Sequence, residues 1–190
     1  MKKLISILLS LFILSAAVFA ETEGDEYDDG YVYEMNGAGD QFLKVDVGGL
    51  IPLNFNGQLH MGGIIGLGYY RFINKIFGVG GEFSASYNLT IGNKLLLFIP
   101  VTFGVVIQPT VGNFEFPVTV SAGFGYETFQ SLNYFPSPAV RASAGAYYRL
   151  NDVCSLGVAG GCLWLPEYTK DYGWNHGVFS TVTVNARYHF

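Results

Sequence analysis

The sequence predicts an all-β fold, an antiparallel up-and-down transmembrane β-barrel of about eight strands, and three observations carry the prediction. Successive side chains of a strand point to opposite faces. In the last nine residues Val182, Val184, Ala186, Tyr188 and Phe190 therefore share one apolar face, opposite Thr183, Asn185, Arg187 and His189. Short turn signals recur at Asn74-Lys75, at Pro109 to Asn113 and at Asn151-Asp152, about 37–40 residues apart. Each interval holds two membrane strands of about 9–11 residues and one outer loop, which makes four hairpins. Beyond the first 20 residues the longest apolar run, Leu95 to Ile107, has 13 residues and is broken by Pro100, Thr102 and Gly104. A spanning helix needs about 20 residues, whereas a spanning strand fits comfortably in that length.

The N-terminus reads as a secretory leader. Lys2 and Lys3 precede an apolar stretch from Leu4 to Phe19, and Val18 and Ala20 hold the small-residue positions of a cleavage site. Residues 1–20 are expected to be a cleaved signal peptide; the alternative, a single membrane helix, lacks a basic flank after it. Position 21 is Glu rather than Cys, so no lipid anchor is expected. Residues 21–39 form an acidic periplasmic segment with Glu21, Glu23, Asp25, Glu26, Asp28, Asp29 and Glu34 spaced by Gly and Tyr, read as a flexible lead-in. No spacing among these carboxylates matches a calcium loop. Residues 40–190 are the barrel.

Without residues 1–20 the chain carries 8 basic and 15 acidic residues, a net charge of −7. That balance argues against nucleic acid, which requires a basic face. No cofactor or metal is expected. Cys154 and Cys162, the only cysteines, fall on one predicted strand about 26 Å apart at roughly 3.3 Å per residue. A disulfide needs Cα atoms within about 7 Å, so both are expected to be free, lipid-facing small residues, with intermolecular pairing the lesser alternative.

Alternation is clear in four strands. The first sets Leu43, Val45, Val47 and Ile51 against Lys44 and Asp46. The third sets Phe77, Val79, Phe83, Ala85 and Tyr87 against Glu82, Ser84 and Ser86. The fifth sets Phe116, Val118, Val120, Ala122, Phe124 and Tyr126 against Glu115, Thr119, Ser121 and Glu127. The sixth sets Val140, Ala142, Ala144, Ala146 and Tyr148 against Arg141, Ser143, Tyr147 and Arg149. The second, fourth and seventh put Ile65, Leu67, Leu96, Phe98, Val106 and Leu163 on the inner face. Outer loops are expected at Pro52–Gln58, Asn88–Asn93, Gln130–Pro136 and Pro166–Asn175. Two aromatic girdles follow: Tyr70, Phe72, Phe77, Phe116, Tyr148, Tyr188 and Phe190 toward the periplasm, and Tyr87, Phe124, Tyr126 and Trp164 toward the outside. Pro100 and Pro117 fall mid-strand, where each removes a ladder donor, and a bulge is expected at each.

The inner faces bring Lys44, Asp46, Arg71, Glu82, Glu115, Glu127, Arg141, Arg149 and Arg187 into one lumen. An eight-stranded barrel is just wide enough for its own side chains, and charges buried there must pair or stay hydrated. A structural ion-pair network is the first reading; a gate in which Arg and Glu exchange partners is the second. Enzymatic chemistry requires a nucleophile and a base within hydrogen-bond reach. His176 and Ser180 share a strand face but lie about 13 Å apart at roughly 3.3 Å per residue. His60 and His189 have no Ser or carboxylate beside them in sequence. No catalytic residues are therefore assigned.

The closing segment resembles the last strand of bacterial outer-membrane β-barrels, which ends in an aromatic residue, usually Phe. The resemblance implies the cell outer membrane as location, contact with its lipids, and Tyr188 and Phe190 as an insertion signal read by the barrel-assembly machinery. The His-x-Ser arrangement of the barrel lipid A deacylases is missing. Gly39-Asp40-Gln41-Phe42-Leu43-Lys44-Val45 is similar to the opening of the OmpW family, in which Gly-Asp precedes an aromatic and a basic residue. That family implies a narrow conduit for small, apolar-biased molecules, and Ile65, Leu67, Leu96, Phe98, Val106, Leu163 and Phe179 would line it or plug it. The competing reading follows OmpX-like adhesins or a purely structural barrel. Phe129, Tyr134, Phe135, Tyr168, Tyr172 and Trp174 are then the outer-loop binding candidates, although the predicted loops are short for an adhesin.

Overall fold

The computed structural model describes residues 37–54, 59–129, 132–169 and 173–190. The expected signal peptide and the acidic segment up to residue 36 lie outside the described residues. Eight long strands form the wall: β1 (Gln41–Pro52), β2 (Gly62–Phe72), β3 (Phe77–Leu89), β4 (Leu95–Ile107), β7 (Val118–Phe129), β8 (Leu132–Arg149), β9 (Cys154–Thr169) and β10 (Gly173–His189). A short pair, β5 (Thr110–Val111) and β6 (Phe114–Glu115), sits between β4 and β7. Every long strand pairs antiparallel with its neighbour, β8 pairs with β9, and β1 pairs with β10. The circuit is closed, so the fold is an eight-stranded antiparallel barrel. Closure leaves no row of unpaired backbone groups around the wall, the condition for a sheet to cross lipid.

Two tight turns on one end are built alike. Asn74 Oδ1 accepts from the amides of Ile76 and Phe77 at 2.9 and 2.8 Å. Asn151 Oδ1 accepts from Val153 and Cys154 at 3.1 and 2.7 Å. A short carboxamide that satisfies two loop amides is the usual reason for Asn in such turns. The third turn extends the β4–β7 hairpin: Val111 pairs with Phe114 across Gly112-Asn113, with Gly112 at φ 58°. Its ladder is broken at Pro109 and again at Pro117, yet Phe116 still donates to Pro109 O at 2.9 Å and Gly145 to Pro117 O at 3.0 Å.

Several expectations are corrected here. Pro117 is not mid-strand but lies in the break before β7. Pro100 does lie within β4, without a bulge. The β3–β4 ladder stops after Phe83↔Val101 and resumes at Ser86↔Phe98 in the same register, because Pro100 has no amide to give. The one register shift in the β7–β8 ladder lies between Gly125 and Glu127. Strand β2 is read on the opposite faces: Ile65, Leu67 and Arg71 point outward, and Ile64, Tyr70 and Phe72 point inward. The third and fourth outer loops are mostly strand, since β8 begins at Leu132, β9 runs to Thr169 and β10 starts at Gly173.

The outer surface carries the apolar faces. Leu43, Val45, Val47, Phe83, Val120, Val158, Val182 and Val184 are all exposed. Phe77, Phe116, Tyr148, Tyr188 and Phe190 are exposed at the end with the tight turns, joined by Phe114 and Tyr69; Tyr70 and Phe72 leave that girdle for the lumen. Tyr87, Phe124, Tyr126 and Trp164 are exposed toward the other end. Cys154 and Cys162 are free thiols on β9.

Candidate functional site: a layered lumen

The lumen is stacked in three layers. Nearest the outer loops is an apolar chamber made by Leu50, Leu96, Phe98, Leu163, Leu165 and Phe179, with Ala139 in its wall and Leu59 packed against it. Its polar rim is satisfied: Asn88 Nδ2 donates to Leu50 O at 3.3 Å and His60 O at 2.9 Å. The chamber is filled by its own side chains, leaving a cavity of about 10 Å³, the volume of a single water site.

Below it lies an ion-paired layer. Glu82 receives Lys44 Nζ on Oε1, Arg141 Nη1 on Oε2 at 3.1 Å, and the Tyr70 hydroxyl on Oε1 at 2.8 Å. Asp46 completes the ring, 3.4 Å from Lys44 Nζ and 3.6 Å from Arg141 Nη2. Two cations meet two carboxylates, so the layer is neutral and the Coulomb attraction offsets the cost of burial. Strand β2 makes room for it with inward glycines. A Cβ on Gly66 would come within 2.7 Å of the Asp46 carboxylate. On the β10 side of this layer a second cavity, again about 10 Å³, lies among Lys44, Tyr70, Arg141 and Arg187.

The third layer closes the end with the tight turns. Glu115, fully buried on β6, accepts from Arg149 Nε at 2.8 Å and Arg187 Nη1 at 3.2 Å, and Gln108 accepts from Arg187 at 2.7 Å. The Arg187 guanidinium lies over the rings of Tyr147 and Phe42. Phe42 in turn stacks on Tyr70 at 5.2 Å and packs with Phe72 and Val106.

Eight of the nine expected lumen charges are buried in this interior; Arg71 is the exception and lies on the outer surface at the end of β2. Its long side chain there reaches the interface, where a guanidinium stays hydrated. Glu127 accepts from Ser137 Oγ at 3.2 Å, above the ion-paired layer. Of the seven expected lining residues, Leu96, Phe98, Val106, Leu163 and Phe179 face inward, while Ile65 and Leu67 face lipid. Among the loop candidates, Tyr134 and Phe135 are exposed on β8, with Phe135 edge-on to Phe124 at 6.1 Å. Phe129, Tyr168 and Trp174 fall in β7, β9 and β10, and Tyr172 lies outside the described residues.

Sequence reasoning put Tyr147 and His189 on the inner, polar faces of their strands without giving them partners, and it missed Tyr70, Gln108 and Ser155 in the lumen. Ser155 Oγ lies 2.9 Å from His189 Nε2, a nucleophile–base distance. The third partner gives the pair the wrong polarity. Arg149 Nη2 sits 2.8 Å from His189 Nδ1, and a guanidinium can only donate. The same guanidinium nitrogen lies 3.3 Å from Nε2, so His189 meets a cation at both ring nitrogens, where a general base needs a carboxylate or carbonyl to orient it. No group of His, Cys, Asp and Glu suited to a metal ion occurs among the described residues.

An eight-stranded wall with an apolar outside, two aromatic girdles and a charged, packed inside defines a small outer-membrane β-barrel, in contact with membrane lipid. One protein-family model matches residues 23–188, and the chain belongs to that family. Two proteins of Treponema pallidum (strain Nichols), both described as uncharacterized, are 30% identical over 141 residues and 25% identical over 139 residues. Those matches take in 71% and 65% of this chain, which spans 62% and 47% of the relatives' lengths, under two thirds of either. Among solved structures, Neisserial surface protein A superposes with a TM-score of 0.69 at 8% identity, covering 80% of this chain and 99% of that one. The outer membrane protein OprG of Pseudomonas aeruginosa gives 0.52 at 13% identity over 83% and 98%. Ail, the attachment invasion locus protein of Yersinia pestis, gives 0.51 at 15% over 80% and 99%. At these identities the likeness is one of fold.

Proposed function

We propose that this barrel is a narrow conduit for small apolar molecules, and that its lumen is not a through-channel. The observation that carries the reading is the apolar chamber stacked directly on a neutral, ion-paired charge layer. Apolar side chains in the outer half favour hydrocarbon or aryl groups over hydrated solutes. Below them, a molecule would have to break several buried ion pairs to continue, at a cost of several kcal/mol each. A molecule that enters the chamber must part its packed side chains, which leave only about 10 Å³ free, and it then exchanges with the outside and with the surrounding bilayer. The likeness of the first strand to the OmpW family supports the same reading. The test is accumulation of N-phenyl-1-naphthylamine, a fluorescent aryl amine, by intact bacterial cells with and without the protein. Faster accumulation supports the conduit; equal rates from a folded, heat-modifiable barrel overturn it.

One observation favours a second reading, surface interaction. Strands β8, β9 and β10 have 18, 16 and 17 residues, against 11–13 in β1 to β4. An 18-residue strand rises roughly 42 Å at a 45° tilt, beyond the apolar band of about 25 Å. Asn133 to Pro136 are exposed at four consecutive positions, so both faces of β8 have left the packed interior. Replacing Tyr134 and Phe135 together by Ser should abolish binding to a surface partner while leaving aryl amine uptake unchanged.

A further inference from the structure

We infer that the cavity on the β10 side of the middle layer is a binding site for one small spherical anion of the halide class, such as chloride.

The lining is cationic. Lys44, Arg141 and Arg187 border the cavity together with the hydroxyl-bearing Thr119, Ser143 and Thr183, whereas no Asp or Glu borders it. The acceptors of the two arginines are taken up by their terminal nitrogens. Arg141 gives Nη1 to Glu82 at 3.1 Å and turns Nη2 to Asp46 at 3.6 Å. Arg187 gives Nη1 to Gln108 at 2.7 Å and to Glu115 at 3.2 Å. In both guanidinium groups Nε is left over, buried and without a hydrogen-bond partner among the described residues. The side chains that carry them belong to residues only 6% and 3% exposed, so bulk water does not serve these donors.

The charge balance calls for an anion rather than a water. The middle and lower layers hold Lys44, Arg141, Arg149 and Arg187 against Asp46, Glu82 and Glu115, an excess of one positive charge. His189 adds charge of the same sign when protonated and none otherwise. Glu127, the remaining buried carboxylate, lies opposite Phe98 of the apolar chamber, four residues along β4 from the Thr102 that faces Glu82. That is about 13 Å along the strand at roughly 3.3 Å per residue. A charge left unneutralised inside a barrel wrapped in lipid is costly, and so is an orphaned donor. A water answers the donors alone, whereas an anion answers both.

Size selects the ion. A cavity of about 10 Å³ holds one water, and a bare halide is only slightly wider. Phosphate, sulfate and carboxylates are too large. The hydroxyls of Thr119, Ser143 and Thr183 rotate, so each can present O–H to the ion. The packed chamber above and the paired layer below bar exchange, and the ion is therefore taken up as the wall closes.

The test begins with the whole protein refolded in detergent micelles with sodium bromide as the only salt. Crystals grown from it should show an anomalous difference peak at the bromine edge in this cavity, beside Arg141 and Arg187. In solution the urea midpoint should be higher in sodium bromide than in sodium sulfate of equal ionic strength, the reverse of the general salt order, in which sulfate stabilises. Ser143→Asp sets a carboxylate where the ion would lie, so that variant should lose the bromide peak and return to the general order. Absence of bromide from the cavity of the parent protein overturns the site, whether or not the variant folds. A peak that persists unchanged in Ser143→Asp overturns it as well, and marks an adventitious ion only.

Discussion

The guanidinium carbon of Arg187 lies 3.6 Å from the centroid of the Tyr147 ring and shares its charge with Glu115 at 3.2 Å. One side chain thus closes the lumen by stacking and by pairing together. Arg187→Lys should destabilise the barrel by about 1–2 kcal/mol, since an ammonium keeps the charge but loses the planar stack and the forked donors. Urea unfolding in phospholipid micelles, followed by tryptophan fluorescence, reads the difference.

Glu115 should be the more costly residue to change. It is the shared acceptor of Arg149 and Arg187, so Glu115→Gln leaves two buried guanidinium groups without their carboxylate. The expected loss is about 3–5 kcal/mol. Adding Arg187→Met to that variant should recover part of it, and a double-mutant cycle measures how much. Strict additivity would show that the pair does not interact.

The two matching turns make a paired prediction. Asn74→Ala and Asn151→Ala each delete an oxygen that accepts two amides. Each should cost about 1–2 kcal/mol, and Asn→Asp at either site should cost less because the acceptor remains. Thermal unfolding by heat-modifiable gel migration is a sufficient assay.

Polar solutes should not pass. Liposomes holding the refolded barrel should swell in sugars no faster than empty ones. Replacing Lys44, Asp46, Glu82 and Arg141 together by Ala removes the middle layer while preserving its net charge of zero, and should admit small polar solutes if that layer is part of the seal. Neither Ser143→Trp nor Gly104→Trp is a clean way to fill the residual space: Ser143 borders a cavity of only about 10 Å³, which an indole overpacks, and any Cβ at Gly104 would meet Val120 O at 2.1 Å and break the β4–β7 ladder.

Ser155 should be unreactive toward a fluorophosphonate probe in the folded barrel. It is fully buried, and the His189 beside it is covered by the Arg149 guanidinium rather than oriented by a carboxylate. Labelling at Ser155 would overturn that reading of the pair.

The strands that were legible are those whose inner faces carry polar residues. In β10, Thr183, Asn185 and Arg187 mark one face without ambiguity, and in β8 Arg141 and Arg149 do so. In β2 the inner face holds Ile64, Gly66, Gly68, Tyr70 and Phe72, which nothing distinguishes from a lipid face. The only charge, Arg71, sits at the strand end, where the interface tolerates it outside. The turns were legible because Asn and Pro act locally. The lumen partners were not: Gln108 and Arg187 meet across 79 residues, and Ser155 and His189 across 34. Closure of the wall creates the first meeting, and the register of the β9–β10 pair creates the second.

That wall also constrains how the protein can come into being. Lys44 and Asp46 belong to the first strand, Glu82 to the third and Arg141 to the eighth element in chain order, and β1 meets its last neighbour only when β10 arrives. Until then an open, curved sheet would turn four charged side chains toward hydrocarbon, with two carboxylates sharing Lys44 and still lacking Arg141, which a bilayer strongly resists. Assembly must keep the nascent interior wet and shed its water late, in one concerted step. The rate at which this barrel matures is then governed by dehydration of its ion-paired heart, and variants that make that heart apolar should insert faster even where they are no more stable.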